Sequence, residues 1–196
     1  PVDVLVSGLQ KLEYRGYDSS GVAVVNEGAL QVVRAEGKLL ELEKKLISHE
    51  LRGRIGIGHT RWATHGVPSE RNAHPHSADG ICLVHNGIIE NYQELRDELK
   101  KLGHTFKSQT DTEVIPHLIE ECRKTAPSFA EAVRAACKRF HGRYAILALD
   151  RETHALVAAR TGSPLIVGAG EGEYFIASDI PAFLEFTNDV HYLSLI

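Results

Sequence analysis

The chain has 196 residues, of which 43% are hydrophobic and 24% are charged, and these near-average fractions exclude a disordered, collagen-like or coiled-coil chain. Its 22 Lys and Arg against 26 Asp and Glu give a formal net charge of -4, which argues against a nucleic-acid partner because such proteins usually carry a basic excess. No apolar run approaches the roughly 18 residues of a membrane span, and no signal peptide opens the chain. Three scattered cysteines favour a reducing compartment, the cytoplasm.

The first half of the chain is predicted to form two helices and four strands. Apolar residues recur on one helix face over residues 1–13 and again over residues 38–49. Two β-rich runs at 21–25 and 30–34, separated by Asn26-Glu27-Gly28, predict a hairpin. Residues 55–59 and 81–85 are predicted to form buried strands on either side of a long polar loop.

In the second half, three helices are predicted before a region made only of strands and turns. Each helix has a polar residue followed by Glu three positions later, which is typical of a capping box: Asn91 with Glu94 for a helix to residue 102, Thr110 with Glu113, and Ser128 with Glu131. Strands are predicted at 144–149, 155–159, 165–168 and 174–177. Hairpins beside helix pairs, without regular βαβ crossovers, predict antiparallel sheets with helices outside them in one α+β domain.

Two polar clusters adjoin predicted strands, where functional sites tend to be built. The first, Tyr14-Arg15-Gly16-Tyr17-Asp18-Ser19-Ser20-Gly21, is also compatible with a plain surface turn. The second, His59-Thr60-Arg61-Trp62-Ala63-Thr64-His65-Gly66, holds the only tryptophan. Arg61 presents a fork of donors suited to a carboxylate, and Trp62 is expected to cover something. By composition alone, Trp62 is as readily a core residue and Arg61 a solvated ion-pair partner.

The third cluster, His85-Asn86-Gly87, follows the strand predicted at 81–85. An Asn-Gly pair between apolar runs is first of all a hairpin signal. The functional interpretation is an oxyanion hole, in which the Asn86 side-chain amide and the Gly87 backbone N–H point at one developing negative oxygen. Asp111 is compatible with a helix N-terminus, where the dipole favours it, and equally with a carboxylate that binds a substrate ammonium.

Taken together, these groups describe one substrate. Arg61 as a carboxylate receptor, Asp111 as an ammonium receptor, and Asn86 with Gly87 as a carbonyl-oxygen receptor fit an α-amino acid that carries a reactive amide at its other end. Glutamine is that molecule. The hypothesis requires Arg61, Asp111 and Asn86 to share one cavity.

The sequence offers neither a suitable nucleophile nor an obvious metal site. Cys82 is predicted in a strand, and Cys122 and Cys137 in helices, where buried thiols are inert. Several histidines invite a zinc interpretation, but no acidic or cysteine ligand accompanies them at a recognised spacing. The histidines considered are His59, His65, His74, His76 and His85. We therefore expect the chain to bind no metal and no cofactor.

Four motifs occur in a family order along nearly the whole chain: Leu12-Glu13-Tyr14-Arg15-Gly16-Tyr17-Asp18-Ser19-Ser20-Gly21, His59-Thr60-Arg61-Trp62-Ala63-Thr64-His65-Gly66, His85-Asn86-Gly87-Ile88-Ile89-Glu90-Asn91 and Thr110-Asp111-Thr112-Glu113. In these motifs the chain resembles the glutaminase domains of class II, N-terminal-nucleophile amidotransferases. Its Trp-Ala-Thr-His segment resembles the glutamine–fructose-6-phosphate aminotransferase family in particular. The resemblance implies an N-terminal-nucleophile hydrolase fold, a four-layer αββα sandwich of two antiparallel sheets.

The resemblance also implies how the substrate is bound. Arg61 would bind the α-carboxylate of L-glutamine or L-glutamate, and Asp111 its amino group. Trp62 would belong to a mobile loop over the pocket, which Thr64 and His65 help to line.

The catalytic roles that the resemblance implies are incomplete in this sequence. Asn86 and Gly87 would form the oxyanion hole, with Gly87 also contacting substrate, and Arg15 would shape the site near the nucleophile. Family members begin with a catalytic cysteine, whose own α-amine is the base, on a first strand such as Cys-Gly-Ile-Val-Gly. This sequence opens instead with Pro1 in the first helix. We expect residues 1–196 to be one glutaminase domain, truncated at both ends and inactive as it stands.

The intact family enzyme would add a C-terminal sugar-isomerase domain, form a homodimer, and use the released ammonia to convert fructose 6-phosphate to glucosamine 6-phosphate. Two alternatives remain open at this point. The chain could belong to another class II amidotransferase with a different acceptor, or it could be a non-catalytic glutamine-binding module that lacks the nucleophile.

Overall fold

The first third of the chain forms the predicted elements. A computed structural model describes residues 1–192. The hairpin turns through Glu27 and Gly28, whose φ angles of 50° and 77° are both positive, as a type I′ turn requires. The elements are α1 (Val2–Leu12), β1 (Ser19–Asn26), β2 (Ala29–Glu36), α2 (Leu39–Ile47) and β3 (Ile55–Arg61).

The rest of the described chain agrees with the prediction except for two short strands. These two, β4 and β10, have three and four residues, too few to show an alternating pattern. The elements are β4 (His76–Ala78), β5 (Ile81–Gly87), α3 (Tyr92–Lys101), α4 (Val114–Arg123), α5 (Phe129–Cys137), β6 (Tyr144–Asp150), β7 (Leu156–Thr161), β8 (Ile166–Ala169), β9 (Tyr174–Ala177) and β10 (Asp189–Tyr192). No helix among residues 1–192 is both long and apolar enough to cross a membrane.

Only one of the three predicted capping boxes caps its helix. Ser128 Oγ accepts the Glu131 N–H at 3.3 Å at the start of α5, as predicted. The prediction is wrong for Asn91, whose side chain instead holds the 139–141 loop through the Arg139 carbonyl and the His141 N–H. It is also wrong for Thr110, because α4 begins only at Val114. Both side chains bond distant groups instead: Asn91 bonds the 139–141 loop, and Thr110 Oγ1 lies 3.2 Å from His76 Nε2.

The described chain forms three antiparallel sheets, of which the first and the third stack face to face. Their strand orders are β2-β1-β3, β10-β8-β9 and β4-β5-β6-β7. The faces of the first and third sheets meet in a core that includes Ala23 and Ile57 from one sheet and Val84 and Leu149 from the other. Helices α1 and α2 pack on the outer face of the first sheet, and α3, α4 and α5 pack on that of the third. The predicted α+β fold of helix, sheet, sheet and helix layers is confirmed.

Strands β3 and β9 are edge strands of their sheets. Within the described chain, β3 pairs with β1 alone, and β9 pairs with β8 alone. Strand edges carry unpaired backbone N–H and C=O groups that favour pairing with a further strand. Both of these edge strands border one large cavity.

Candidate active site

A cavity of about 1170 Å³ brings the predicted site residues together. All eight residues singled out from the sequence line it: Arg15, Arg61, Trp62, Thr64, His65, Asn86, Gly87 and Asp111. The requirement that Arg61, Asp111 and Asn86 share one cavity is met.

The cavity runs along the open edges of β3 and β9. Every residue from 53 to 61 and every residue from 172 to 178 lines it. Because successive side chains of a strand point to opposite faces, an uninterrupted lining means that each strand turns its edge toward the cavity. Helix α1 and residues Ala145–Leu147 of β6 contribute further walls.

Arg61 is the last residue of β3 and is buried. Its Nη2 donates hydrogen bonds to the carbonyl oxygens of His65 and Gly66, which closes the loop after β3 around the guanidinium. Its Nη1 is buried and has no hydrogen-bond partner among the described residues, although Asp18 Oδ1 lies 3.6 Å away. Burial lowers the Arg61 pKa, and the charges of Asp18 and Asp111 oppose this effect. A buried donor without a partner suits a ligand carboxylate.

Asp18 shows that the first polar cluster is part of this site. Its carboxylate accepts hydrogen bonds from the Ala63 N–H and from Ser19 Oγ. The cluster therefore does not act as a plain surface turn, because Asp18 supports the loop that follows Arg61. Sequence reasoning missed this role, since Asp18 and Ala63 are far apart along the chain.

Asp111 also lines the cavity and is buried. One carboxylate oxygen, Oδ2, accepts the Ile89 N–H at 2.9 Å, so the position of the side chain is set by the backbone just beyond β5. The other oxygen, Oδ1, lies 3.7 Å from His65 Nδ1. The helix N-terminus interpretation does not describe it, because α4 begins three residues later. A buried carboxylate facing a cavity suits a cationic ligand group.

Asn86 is oriented by a histidine that the sequence did not single out for this role. His59 Nε2 lies 2.9 Å from Asn86 Oδ1. With the proton on Nε2, the ring donates to the amide oxygen and leaves the Asn86 NH₂ group free to donate elsewhere. Burial lowers the His59 pKa to about 4, so the ring is neutral near pH 7.

Gly87 ends β5 in a conformation that only glycine adopts without strain. Its φ is 127°, and a Cβ atom there would lie 2.1 Å from the Arg143 carbonyl oxygen. The hairpin interpretation of Asn86-Gly87 is wrong, because both residues pair with β6 within β5. Glycine is required here by the close approach of the neighbouring backbone.

Four histidines lie together beside these groups, and three of them, His59, His74 and His85, line the cavity. We call the four the buried histidine cluster: His59, His74, His76 and His85. Thr112 Oγ1 links two of the rings, at 3.1 Å from His74 Nε2 and 3.0 Å from His85 Nδ1. Burial lowers the pKa of His85 to about 4 and of His76 to about 3, and lowers that of His74 as well. Neutral rings bonded to hydroxyl and amide groups serve as a polar scaffold.

Trp62, Thr64 and Arg15 lie at the rim. The Trp62 side chain is 62% exposed, so the core interpretation is wrong, and its ring packs edge-on against Tyr17. Thr64 is exposed beside His65. Arg15 donates to the carbonyl oxygen of Ser178 and thereby ties the end of α1 to the turn after β9.

The three cysteines lie elsewhere, as expected. Cys82 lies in β5, Cys122 in α4 and Cys137 in α5, and none of them lines the cavity within the described part of the chain. Burial raises the pKa of all three thiols, for Cys82 to about 12. They are therefore poor candidates for a reactive thiolate.

The chain is similar to known amidotransferases in structure and in sequence. Glutamine phosphoribosylpyrophosphate amidotransferase from B. subtilis superposes with a TM-score of 0.81 at 26% identity, over 97% of this chain and 42% of that one. The fold is that of the N-terminal-nucleophile amidotransferases. A sequence profile of the glutamine amidotransferase domain matches residues 59–185. The chain belongs to this family of glutamine amidotransferase domains.

Two curated relatives carry a more specific name. The glutamine–fructose-6-phosphate aminotransferase (isomerizing) of Bartonella quintana is 52% identical over 96% of this chain. The enzyme of the same name from Pyrococcus horikoshii is 54% identical over 97% of this chain. The chain spans about a third of the length of each, 31% and 32%, so these relatives contain a further region beyond the match.

Proposed function

We propose that this chain is the glutamine-hydrolysing part of a glutamine–fructose-6-phosphate aminotransferase, which supplies ammonia for the synthesis of glucosamine 6-phosphate. The observation that carries the proposal is the presence of Arg61, Asp111, Asn86 and Gly87 on one cavity. The identity above 50% to two enzymes of that name, against 26% to the purine-pathway amidotransferase, favours this acceptor over that of another class II amidotransferase.

The charges of the cavity suit the head group of glutamine. Arg61 Nη1 is a buried donor without a protein hydrogen bond in the described structure, and Asp111 keeps Oδ1 free of the backbone bond made by Oδ2. A guanidinium for the α-carboxylate and a carboxylate for the α-ammonium would hold the amino acid by both ends. Thr64, His65 and Trp62 would line and cover it.

The side-chain amide would then lie against Asn86 and Gly87. The Asn86 NH₂ group, oriented by His59, and the Gly87 N–H would donate to the oxygen that becomes negative as the amide turns tetrahedral. Donors held in place before the reaction stabilise such an oxyanion by roughly 3–4 kcal/mol each. Arg15 would shape the neighbouring part of the cavity through its hydrogen bond to the Ser178 carbonyl oxygen.

We propose that the nucleophile of this reaction lies outside the described residues 1–192, whose three cysteines do not line the cavity. The family resemblance implies a cysteine at the head of a strand that precedes Pro1, and the open edges of β3 and β9 offer backbone partners for such a strand. In the intact protein the thiolate would attack the amide carbon and release ammonia, and water would then hydrolyse the thioester to glutamate. We propose that residues 1–196 by themselves bind glutamine weakly and hydrolyse nothing.

The remaining expectations concern the whole protein. The relatives' further region would be the sugar-isomerase domain that consumes the ammonia, and the intact protein would be a cytoplasmic homodimer. Residues 1–196 would then be one glutaminase domain of a longer chain.

The binding proposal is tested with three ligands: glutamine, glutaramate, which lacks the α-amine, and 4-aminobutanamide, which lacks the carboxylate. Calorimetry on residues 1–196 should rank glutamine well above both analogues. An Arg61→Gln variant should bind glutamine about as weakly as 4-aminobutanamide, and bind 4-aminobutanamide as the unchanged chain does. Equal binding of the three ligands to the unchanged chain contradicts the assignment of Arg61 and Asp111.

The nucleophile proposal is tested by adding a peptide that begins Cys-Gly-Ile-Val-Gly to residues 1–196. We expect glutamine-dependent ammonia release only in its presence, and none with a peptide in which serine replaces the cysteine. Ammonia release from a chain proven to begin at Pro1, without peptide, would refute the proposal. Glutamine binding with no release from the natural full-length protein would instead identify a non-catalytic binding module.

A further inference from the structure

A second group of ligating side chains lies between the end of α3 and helix α4, away from the cavity described above. His104 follows α3, and His117 and Glu120 lie one turn apart on α4. The two imidazoles are nearly buried, with side-chain exposures of 7% and 10%, whereas Glu120 reaches 25%. None of these residues belongs to the proposed glutamine site.

We propose that His104, His117 and Glu120 bind a divalent transition-metal ion, with Zn²⁺ as the best fit. The two Nδ1 atoms are 3.0 Å apart, and Glu120 Oε2 lies 3.5 Å from one and 3.6 Å from the other. Ligand atoms at 2.0–2.1 Å from a tetrahedral zinc ion are about 3.3 Å from one another. The triangle of one oxygen and two nitrogens therefore already has nearly the size that zinc requires.

Glu121 sets the ring of His104 for this role. Its Oε1 lies 2.6 Å from His104 Nε2, and because a carboxylate only accepts, the proton of the neutral ring resides on Nε2. The lone pair of Nδ1 then faces His117 and Glu120. A carboxylate that orients a ligating histidine through its other nitrogen is the usual support of a zinc ligand. Lys124 bonds the same oxygen of Glu121 from the solvent side.

The surroundings provide access and charge balance. A hollow of about 720 Å³ is lined by all three ligands together with Asp79, Lys107 and Glu113, which leaves room for water as a fourth ligand. Two neutral imidazoles and one carboxylate leave one positive charge on the bound ion, next to the Glu121 carboxylate that bonds His104. Imidazole nitrogens favour zinc over magnesium or calcium, which prefer oxygen ligands.

This site departs from the expectation of no metal drawn from the sequence. Four of the histidines considered there lie in the buried histidine cluster, where hydroxyl and amide groups bond the rings, and the fifth, His65, lies in the loop after β3. His104 and His117 were not considered, because they are separated by twelve residues and match no metal motif. Only the packing of the chain after α3 against α4 brings them together.

Bound metal would join the chain after α3 to α4. The segment between the two histidines carries Asp111, so the ion would restrain both ends of the loop that presents this carboxylate. We infer a structural role, in which binding stabilises the folded chain. Because metal binds only the folded arrangement, the melting temperature should rise by about 5–10 °C when free zinc exceeds its Kd about 100-fold.

The test uses the chain after treatment with a chelator. We expect dialysis to give one zinc ion per chain, Co²⁺ to give the visible absorption of a tetrahedral nitrogen and oxygen site, and Mg²⁺ to have no effect on Tm. Glu120→Gln keeps the side-chain shape and should weaken zinc binding at least about tenfold, and Glu121→Ala by about 10–100-fold. His49→Ala, which removes a histidine after α2 on the other side of the molecule, should bind zinc as the unchanged chain does.

Folding effects are separated by measuring each variant with and without zinc. Glu120→Gln should melt within a few degrees of the unchanged chain in chelator and lose most of the zinc-dependent shift. Equal zinc affinity in the unchanged chain and Glu120→Gln would mean adventitious surface binding and would overturn the proposal. The proposal would also be overturned if adding zinc to the chelator-treated chain left its Tm unchanged. His104 and His117 would then share only a hydrogen bond.

Discussion

The buried histidine cluster and the pair formed by His104 and His117 show two different uses of imidazole in one domain. In the cluster, His74 and His85 share the hydroxyl of Thr112, and His59 holds the amide of Asn86. At the pair, the partners are the carboxylates of Glu120 and Glu121. Burial lowers the pKa of His117 to about 4, as it does for His59 and His85, so the two groups do not differ in the charge of their rings. They differ in their partners, because carboxylates can join imidazoles in binding a metal cation and hydroxyl and amide groups here serve only to hold the rings. The chemistry of a histidine site is decided by what its rings contact, more than by how many rings there are.

The largest expected effect comes from protonating the cluster. Burial holds the pKa of His59 and His85 at about 4 and of His76 at about 3, and lowers that of His74, against about 6.5 in an unfolded chain. Between these values the unfolded chain binds more protons, so stability present above pH 6.5 is lost as the pH falls toward 4. At up to about 1.4 kcal/mol per pH unit for each ring, the loss from pH 7 to 5 should reach several kcal/mol.

Urea unfolding at pH 7, 6 and 5 in the presence of a chelator measures this loss. A free energy of unfolding that stays constant over this range would break the comparison, because it would mean that the cluster accepts protons without cost.

The next largest effect is expected for glutamate binding in the cavity, and it should leave zinc binding by the pair of His104 and His117 unchanged. Asp111→Asn keeps the shape of the side chain but removes the charge proposed for the substrate ammonium, and should weaken L-glutamate binding by about 2–5 kcal/mol. Zinc binding should not change, because Asp111 is not among the proposed ligands. Calorimetry with each ligand measures both. Asp97→Asn on exposed α3 is the matched control, and an equal loss there would remove the case for Asp111.

Thr112→Val tests the scaffold directly. Valine has the shape of threonine but leaves His74 Nε2 and His85 Nδ1 without their shared partner, and each unsatisfied buried group costs about 1–3 kcal/mol. We expect the free energy of unfolding to fall by about 2 kcal/mol or more. Thr125→Val, at the exposed end of α4, should stay within about 0.5 kcal/mol of the unchanged chain. Similar losses of unfolding free energy in the two variants would show that the hydrogen bonds of Thr112 to the two rings do not stabilise the fold.

The smallest effect concerns the outer charges of the pair. Lys124 is 61% exposed and bonds Glu121 three residues earlier on α4, a type of pair worth about 0.5 kcal/mol or less. Lys124→Ala should therefore leave chelator-treated stability nearly unchanged. A loss of 2 kcal/mol or more in the free energy of unfolding would show that these carboxylates stabilise the fold without metal. The carboxylates would then act as structural partners, as the hydroxyl and amide groups do in the buried histidine cluster.

Prediction from the sequence succeeded where local chemistry decides the outcome. The first helix and the Glu27-Gly28 hairpin follow from periodicity and positive φ, which depend on neighbours along the chain. Prediction failed where distant groups compete for a side chain. The side chain of Asn91 bonds the 139–141 loop instead of capping its own helix. Asn86 and Gly87 continue β5 instead of forming a turn, because β6 pairs with them.

The candidate site was only partly accessible to such reasoning. Arg61 was singled out because it directly follows an apolar strand, and Asp111 because it lies at the start of a predicted helix, both of which are visible in the sequence. The supporting roles of Asp18 and His59 were not found, since a carboxylate that bonds a loop 45 residues away leaves no local pattern. Their contribution depends on contacts made only after β1, β3 and β5 come together.

The order of residues by itself determined the helices, most of the strands, the antiparallel sheets with helices outside them, and the set of groups suited to an amino-acid substrate. These features depend on periodicity, turn geometry and side-chain chemistry, all of which are local. Tertiary structure alone decided which groups meet: Arg61 with Asp111 across one cavity, His59 with Asn86, and His104 with His117. These contacts depend on how the helices and sheets pack. Two residues that are far apart along the chain can be neighbours in the fold, and nothing in the local sequence indicates it.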